Sequence, residues 1–194
     1  MFYHATRLYA PTVNPGSLPR MISTNRFDLV WLDARTLRTF SSSPDEALRT
    51  LEASNPDGLL TGDERAIAEL FADRLERQPQ HETWTIRAVI ERESMTFVGH
   101  AGFHVRPDEH GVVEIGYQTS ASRRREGIAR EVVLGLLHAA STSQLVTTVR
   151  GITAAENRAS QLLLESLGFV FSENVAGAFG EEERLFLFTM TPTT

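Results

Sequence analysis

The 194-residue chain predicts a single α/β (α+β) domain, a mixed and mostly antiparallel sheet flanked by helices. Two observations carry this. Between Thr83 and Thr119, three stretches of alternating apolar and polar residues follow one another with only short turns between them, the pattern of an antiparallel meander. The period then changes from two residues to that of a helix and back again. Val113, Ile115 and Tyr117 alternate with Glu114, Gly116 and Gln118. Ile128, Val132, Val133, Leu136, Leu137 and Ala140 recur at helical spacing, and Leu145 to Ile152 reads as a buried strand. A strand–helix–strand unit of this length favours parallel pairing of its two strands. The length suits one domain over residues 21–194, with residues 1–20, punctuated by Pro11, Pro15, Gly16 and Pro19, as an N-terminal arm or loop.

The elements follow in order. Ile22 to Leu32 reads as a first strand with Phe27, Leu29 and Trp31 on one face, and Asp33 as the cap of a short helical turn containing Leu37. Ser43-Pro44-Asp45-Glu46 reads as a helix start with a capping box and proline at the first position; Ala47, Leu48 and Leu51 form its apolar face, and Asn55-Pro56-Asp57-Gly58 turns the chain. Thr61-Gly62-Asp63-Glu64 opens another helix, expected to reach Arg77 and to bury Ile67, Phe71 and Leu75. The meander strands are Thr83 to Glu91, with Trp84, Ile86, Ala88 and Ile90 on one face, Thr96 to Val105, with Phe97, Gly99, Ala101 and Phe103 on one face, and the strand of Val113 to Thr119. Beyond Ile152, Asn157 to Gln161 opens a helix with Ala159, Leu162, Leu163 and Leu167 inward, which Gly168 stops in the left-handed region. Phe169 to Phe171 starts a strand, Asn174 to Gly180 reads as a loop of small residues, and Arg184 to Met190 is the last strand.

Composition excludes several classes of function. The formal net charge of −6 argues against a general nucleic-acid binder, which carries a basic stripe. No apolar run approaches the roughly 18–20 residues of a membrane span, and Met1 to Asn14 lacks the layout of a signal peptide; the default is a cytoplasmic protein. The chain has no cysteine, which removes disulfides, zinc–thiolate sites and a cysteine nucleophile.

Chemistry concentrates in the turn between the third meander strand and the helix after it. Arg123, Arg124 and Arg125 stand just before Gly127. A helix N-terminus offers unpaired N–H groups and a partial positive charge, which suits a phosphate, and glycine lets such a ligand approach the backbone. The chain lacks the Gly-Lys-Ser/Thr ending of a P-loop, and Gly127 has no glycine two residues away on either side, as a dinucleotide fingerprint requires. The alternative for this turn is a solvated cluster of arginines.

The run Arg124-Arg125-Glu126-Gly127-Ile128-Ala129 has the form R-x-x-G-x-A and resembles the acetyl-CoA pyrophosphate site of the GNAT superfamily, the general N-acetyltransferases. Asn157 to Ser160, followed by Leu167-Gly168-Phe169, resembles the N-x-x-S…L-G-F signature of the same family. Glu114-Ile115-Gly116-Tyr117 is similar to the E-I-G-Y strand of the branch that contains the ribosomal-protein N-terminal acetyltransferases and their small-molecule relatives. The resemblance covers roughly Phe27 to Met190. It implies a sheet splayed between the strands at 113–119 and 145–152, with acetyl-CoA inserted in the gap and no metal. Backbone groups of Tyr117, Gln118 and Thr119 would pair with the pantetheine arm, and one of their N–H groups could polarise the thioester carbonyl. Backbone N–H groups of Arg124, Arg125, Glu126, Gly127, Ile128 and Ala129 would hold the pyrophosphate. Asn157 would bond the pantetheine arm, and Ser160 would lie near the sulfur. The early helices and the Asn174–Gly180 loop would build the acceptor site.

The implied reaction transfers an acetyl group from acetyl-CoA to a primary amine, either a protein N-terminus or a small molecule, by direct attack. A protonated amine must lose a proton first, so a general base is required. Glu114, on the strand beside the gap and facing away from its apolar side, is the candidate base, with a plain solvent-side strand residue as the alternative. Ser160 is the candidate acid by analogy. Asn157 equally suits a helix cap. His100 and His104, about 13 Å apart along a strand, are too distant to share a metal and would line the open face near the substrate. Arg123 could reach the 3′-phosphate of CoA. The competing functions are a non-catalytic acyl-CoA-binding sensor or scaffold and a pure interaction domain with no CoA affinity. The exposed last strands offer an edge for a homodimer.

Overall fold

The structure is a computed structural model that describes residues 16–60, 62–177 and 180–191. Alternation along the strands gives the sheet two apolar faces, and each face is covered by helices. In chain order the elements are β1 (Met21–Ser23), β2 (Phe27–Trp31), α1 (Ala34–Ser42), α2 (Pro44–Thr50), α3 (Gly62–Arg77), β3 (Ile86–Glu91), β4 (Thr96–Phe103), β5 (Val112–Thr119), α4 (Ile128–Ser143), β6 (Thr148–Ala154), α5 (Arg158–Ser166), β7 (Val170–Ala176) and β8 (Glu182–Thr189). Among the described residues the strands form one sheet in the order β1-β2-β3-β4-β5-β6-β8-β7. Every neighbouring pair is antiparallel except β5 and β6. The fold class is therefore the one the sequence predicts, with the parallel pair where the strand–helix–strand unit places it.

On one face, α1, α2 and α3 bury Leu37, Phe40, Leu48, Phe71 and Leu75 against Ile86, Ala88, Ile90 and Phe97. On the other, α4 and α5 bury Val132, Val133, Leu136 and Leu164 against Phe27, Leu29, Val113, Ile115 and Val149. Asp33 caps α1 by accepting from the Thr36 N–H at 2.7 Å, and the helix runs for nine residues, longer than the short turn expected. At the other end of the chain, Gly168 takes φ 91°, and the Phe169 N–H returns to the Leu164 carbonyl at 3.0 Å, closing α5 as predicted.

Several expectations are corrected. The predicted first strand, Ile22 to Leu32, is a hairpin of β1 and β2. It turns at Thr24–Arg26 because the Thr24 N–H and hydroxyl both bond the Phe27 carbonyl. Ser43 makes no side-chain cap on α2, so no capping box forms there. The capping role of Thr61 lies outside the described residues. Trp84 precedes β3 and packs edge-on against Phe103, with centroids 5.0 Å apart, in the core opposite to Ile86 and Ala88. Phe97 likewise faces away from Ala101 and Phe103, because the β3–β4 register slips by one residue between Val89 and Ile90 and a bulge inverts side-chain parity. Helix α5 buries Gln161 and Leu164 and leaves Leu162 50% exposed, so its inward face is turned from the one expected. Strand β6 starts three residues later than Leu145 and ends two beyond Ile152. Asn174 to Ala176, expected in a loop, belong to β7.

Residues 16–20 carry no regular structure, yet they are tied down. Leu18 is buried, the Gly16 carbonyl accepts from the Trp84 indole at 2.9 Å, and the Arg20 carbonyl accepts from the fully buried Arg87 at 3.1 Å. Burial lowers the Arg87 pKa to about 10.

The bulge gives Gly99 a φ of 148°, and a methyl group there would stand 2.0 Å from the Gln118 carbonyl oxygen on β5. Gly99→Ala must push β4 from β5, and it should lower stability in urea unfolding by about 2 kcal/mol or more, at the upper range of overpacking; an unchanged midpoint would show that the bulge adapts freely.

Candidate active site

The parallel pair β5–β6 is held in register only from Val112↔Thr148 to Ile115↔Gly151. Beyond that rung, each strand stays bound to its outer neighbour. β5 pairs with β4 as far as Thr119, and β6 pairs with β8 as far as Ala154. Gly116 to Thr119 and Ile152 to Ala154 therefore face each other across a gap with unpaired edges. The expected splay is present, shifted to the observed bounds of β6. The gap opens into a cleft of about 200 Å³ whose lining comes from both faces of the sheet, with His104, Glu114, Gly116, Tyr117, Thr153 and Ser160 among its residues.

The α5 side of the cleft is lined by hydroxyls. The Tyr117 hydroxyl and Thr153 Oγ1 are buried, and neither has a hydrogen-bond partner among the described residues. Burial pushes the Tyr117 phenol above its usual pKa, and the neighbouring Ser160 hydroxyl opposes this without closing a hydrogen bond in the structure. Two orphaned buried hydroxyls in one cleft wall carry an energetic cost unless a bound molecule or water satisfies them. Asn157 caps α5, its Oδ1 accepting from the Ser160 N–H at 3.2 Å. The helix-cap role open to it in the sequence is thus the one its carbonyl performs.

The opposite side is charged. Glu114 accepts from His104 Nδ1 at 2.6 Å on one oxygen and from Arg150 Nε at 2.8 Å on the other. Burial alone would raise the Glu114 pKa, but the His104 hydrogen bond and the His104 and Arg150 charges outweigh it and hold the carboxyl below its usual range. His104 and Arg150 owe these positions to register, since Phe103↔Ile115 and Glu114↔Arg150 are neighbouring strand pairs. Farther along the same face, Gln118 donates to Glu64 at 2.6 Å. His100 lies beside this pair, and burial lowers its pKa against the opposing Glu64 charge.

At the open end of the gap the chain turns into α4. Arg125 takes φ 68°, Gly127 takes φ 76°, and Gly127 is the N-cap of α4 without a side-chain cap bond. Left-handed residues so closely spaced turn successive N–H groups inward, a geometry that suits an anion, and the uncapped first turn adds Ile128 and Ala129 N–H groups. A Cβ on Gly127 would meet only Arg26 Nη2, at 3.8 Å, so the space beside it is not filled by protein. Arg124 and Arg125 are exposed. Arg123 is tied up: it forms ion pairs with Glu91 and Glu126, each at 2.8 Å, which leaves its guanidinium engaged and counts against the 3′-phosphate role. The turn itself is anchored by Asp57, which accepts from the Ser120 and Ser122 hydroxyls at 2.5 and 2.6 Å.

The structure thus gathers Glu114, Tyr117, Asn157 and Ser160 around one cleft and places Gln118, Thr119 and the Arg124–Ala129 turn along its open end. The sequence reading missed Arg150, Thr153, Gly116 and Asp57. Gly116 and Thr153 line the cleft and Arg150 pairs with Glu114 at its edge, placements set by strand register and not by residue spacing.

Comparison with known proteins agrees with this geometry. The model of the acetyltransferase (GNAT) domain family matches residues 30–170. The N-acetyltransferase YjdG of Bacillus subtilis, itself uncharacterized, is 26% identical over 156 residues, covering 80% of this chain and 93% of that protein. Among solved structures, the ribosomal-protein acetyltransferase RimL in complex with coenzyme A superposes with TM-score 0.62 at 12% identity, covering 88% of this chain and 98% of that one. The microcin self-immunity acetyltransferase MccE in complex with acetyl-CoA and AMP superposes with TM-score 0.61 at 12% identity, covering 92% and 99%. Among the described residues no helix is long and apolar enough to cross a membrane, and no cluster of metal-ligating side chains forms.

Because its folded-state carboxyl ionises below the ordinary glutamate range, Glu114 contributes stability that is full above the unfolded value of about 4.3 and is lost as pH falls through the lower folded value. The difference in urea stability between the native chain and Glu114→Gln should be largest near neutral pH and shrink in acid. A difference that stays constant through the acid range would mean that the His104–Glu114–Arg150 cluster does not hold the ionised form.

Proposed function

The chain belongs to the acetyltransferase (GNAT) domain family, and from that premise we propose that it transfers an acetyl group from acetyl-CoA to a primary amine, a protein N-terminus or a small-molecule amine, by direct attack without a covalent enzyme intermediate. The observation that carries this reading is the cleft where β5 and β6 part, with unpaired strand edges, two orphaned buried hydroxyls in its wall and an uncapped helix N-terminus at its open end. These features fit a long polar molecule with an anionic end.

The residues divide the work as follows. The turn from Arg124 to Ala129 would hold the pyrophosphate through backbone N–H groups, and Arg124 and Arg125 add charge at the rim. The unpaired edge of Tyr117, Gln118 and Thr119 would hold the pantetheine arm, as a neighbouring strand would. Bound acetyl-CoA supplies an acetyl group activated as a thioester. An N–H of the β5 edge aimed at the thioester oxygen would stabilise the charge that develops there, the largest expected contribution. Ser160, with Tyr117 beside it, provides hydroxyl protons on the thiol side of the cleft, and Glu114 belongs to the proton-accepting side. The absence of cysteine supports direct attack over a cysteinyl acyl-enzyme. The acceptor would approach from the face carrying α1–α3, past His100 and Glu64. A homodimer would form along β7, the outer strand, which is exposed over most of its length.

Calorimetric titration with acetyl-CoA should show micromolar binding, weakened roughly 100-fold or more in Gly127→Glu by a like charge where charge-assisted bonds form, with circular dichroism confirming that the variant is folded. Ser160→Ala should keep that binding and lower kcat only about tenfold, since a thiol of pKa about 8.5 departs readily. Binding without consumption of acetyl-CoA alongside any amine would instead make the chain an acyl-CoA sensor, and absence of binding by the folded native chain would end both readings.

A further inference from the structure

We propose that His104 is the catalytic residue that takes the proton from the acceptor amine, and that Glu114 acts through it as a positioning residue; the proposal rests on the acetyltransferase reading above. Both Glu114 oxygens are engaged, one by His104 Nδ1 at 2.6 Å and the other by Arg150 Nε at 2.8 Å, and the side chain is 13% exposed against 39% for His104. The imidazole is fixed on several sides. Its edge meets the Phe71 ring with centroids 5.9 Å apart. Its backbone N–H donates to the Glu114 carbonyl at 3.0 Å, and its carbonyl accepts from Arg74 Nη1 at 2.6 Å.

A neutral imidazole that donates Nδ1–H to a carboxylate has its lone pair on Nε2. That atom sits over Gly116, so close that a Cβ there would be 2.7 Å away. Gly116 is the first β5 residue past the last rung of the β5–β6 pairing. His104 and Gly116 both line the cleft where the two strands part, so Nε2 lies at that cleft, and a side chain at position 116 would crowd it. The charged and titratable groups facing His104 are Glu114 of β5, Arg150 of β6 behind it, Arg74 of α3 and His100 of β4.

The proton balance is complete. An ammonium loses two protons in becoming an amide as its nitrogen bonds to the acetyl carbon and the carbon–sulfur bond breaks with its electron pair on sulfur. His104 Nε2 takes the first proton and returns it to solvent. The Ser160 and Tyr117 hydroxyls protonate the departing sulfur, and the second nitrogen proton, released to water as the amide forms, restores them.

The test has one arm that needs no acceptor. In a ¹H–¹⁵N long-range correlation spectrum of the full chain at neutral pH, His104 should show the Nδ1–H tautomer with bare Nε2, and Glu114→Gln should disturb it. An Nε2–H tautomer in the native chain overturns the proposal. The second arm follows acetyl-CoA consumption with spermidine and with a short peptide bearing a free α-amino group. His104→Ala should lose between about 10² and 10⁴ in kcat while keeping its affinity for acetyl-CoA, and added imidazole should restore part of the rate. Gly116→Ala, which crowds Nε2, should also lower kcat with acetyl-CoA binding intact. If His104→Ala stays within a few-fold of the native rate while Glu114→Gln is inactive, Glu114 is the base and the proposal falls. If the native chain neither binds nor consumes acetyl-CoA, the acetyltransferase reading itself has failed, and His104 with it.

Discussion

Two strands that begin as partners and then part set the terms for the rest of this molecule. β5 and β6 share a parallel ladder for only a few rungs, and each is then held by its outer neighbour alone. The separation is not fraying, because the outer ladders continue past the point where the inner one stops. Peptide groups along both free edges must find partners, since a buried unpaired N–H or carbonyl is costly. The cleft and the orphaned hydroxyls of Tyr117 and Thr153 lie at that parting, and the uncapped start of α4 follows β5 in the chain.

The electrostatics fit the same frame. The last paired rungs carry Glu114 opposite Arg150, so the ion pair sits at the edge of the opening, where the cost of burying two charges is offset by good geometry and a third group, His104. At the basic turn Arg123 is held by Glu91 and Glu126 and Arg26 by Glu131, while Arg124 and Arg125 are exposed. Asp57 gives the turn a fixed place by accepting from two serines, and those hydrogen bonds keep its carboxyl ionised below the usual range.

Most of this architecture could be read from residue spacing. Alternation located β3, β4 and β5, helical spacing located α4, and the change of period between them located the parallel pair and the basic turn. What could not be read are features that depend on register. The bulge opposite Val89 moves Phe97 to the other face, and no pattern of apolar residues announces it. Helix α5 was placed correctly but rotated, because the buried Gln161 satisfies its amide on the Ala154 and Ala155 carbonyls, which an apolar count assigns to the surface. Glu114, Tyr117, Asn157 and Ser160 were legible because motifs carry them. His104 was singled out only as a residue on the open face; its contact with Glu114 depends on a strand pairing that spans the whole β4–β5 turn.

The cleft draws its lining from both faces of the sheet. The hydroxyl-lined wall lies on the α5 side, and the histidine and carboxylate lie on the α1–α3 side. Because its walls come from both faces, the chemistry of the cleft changes with depth, from hydroxyls on one side to a charged cluster on the other.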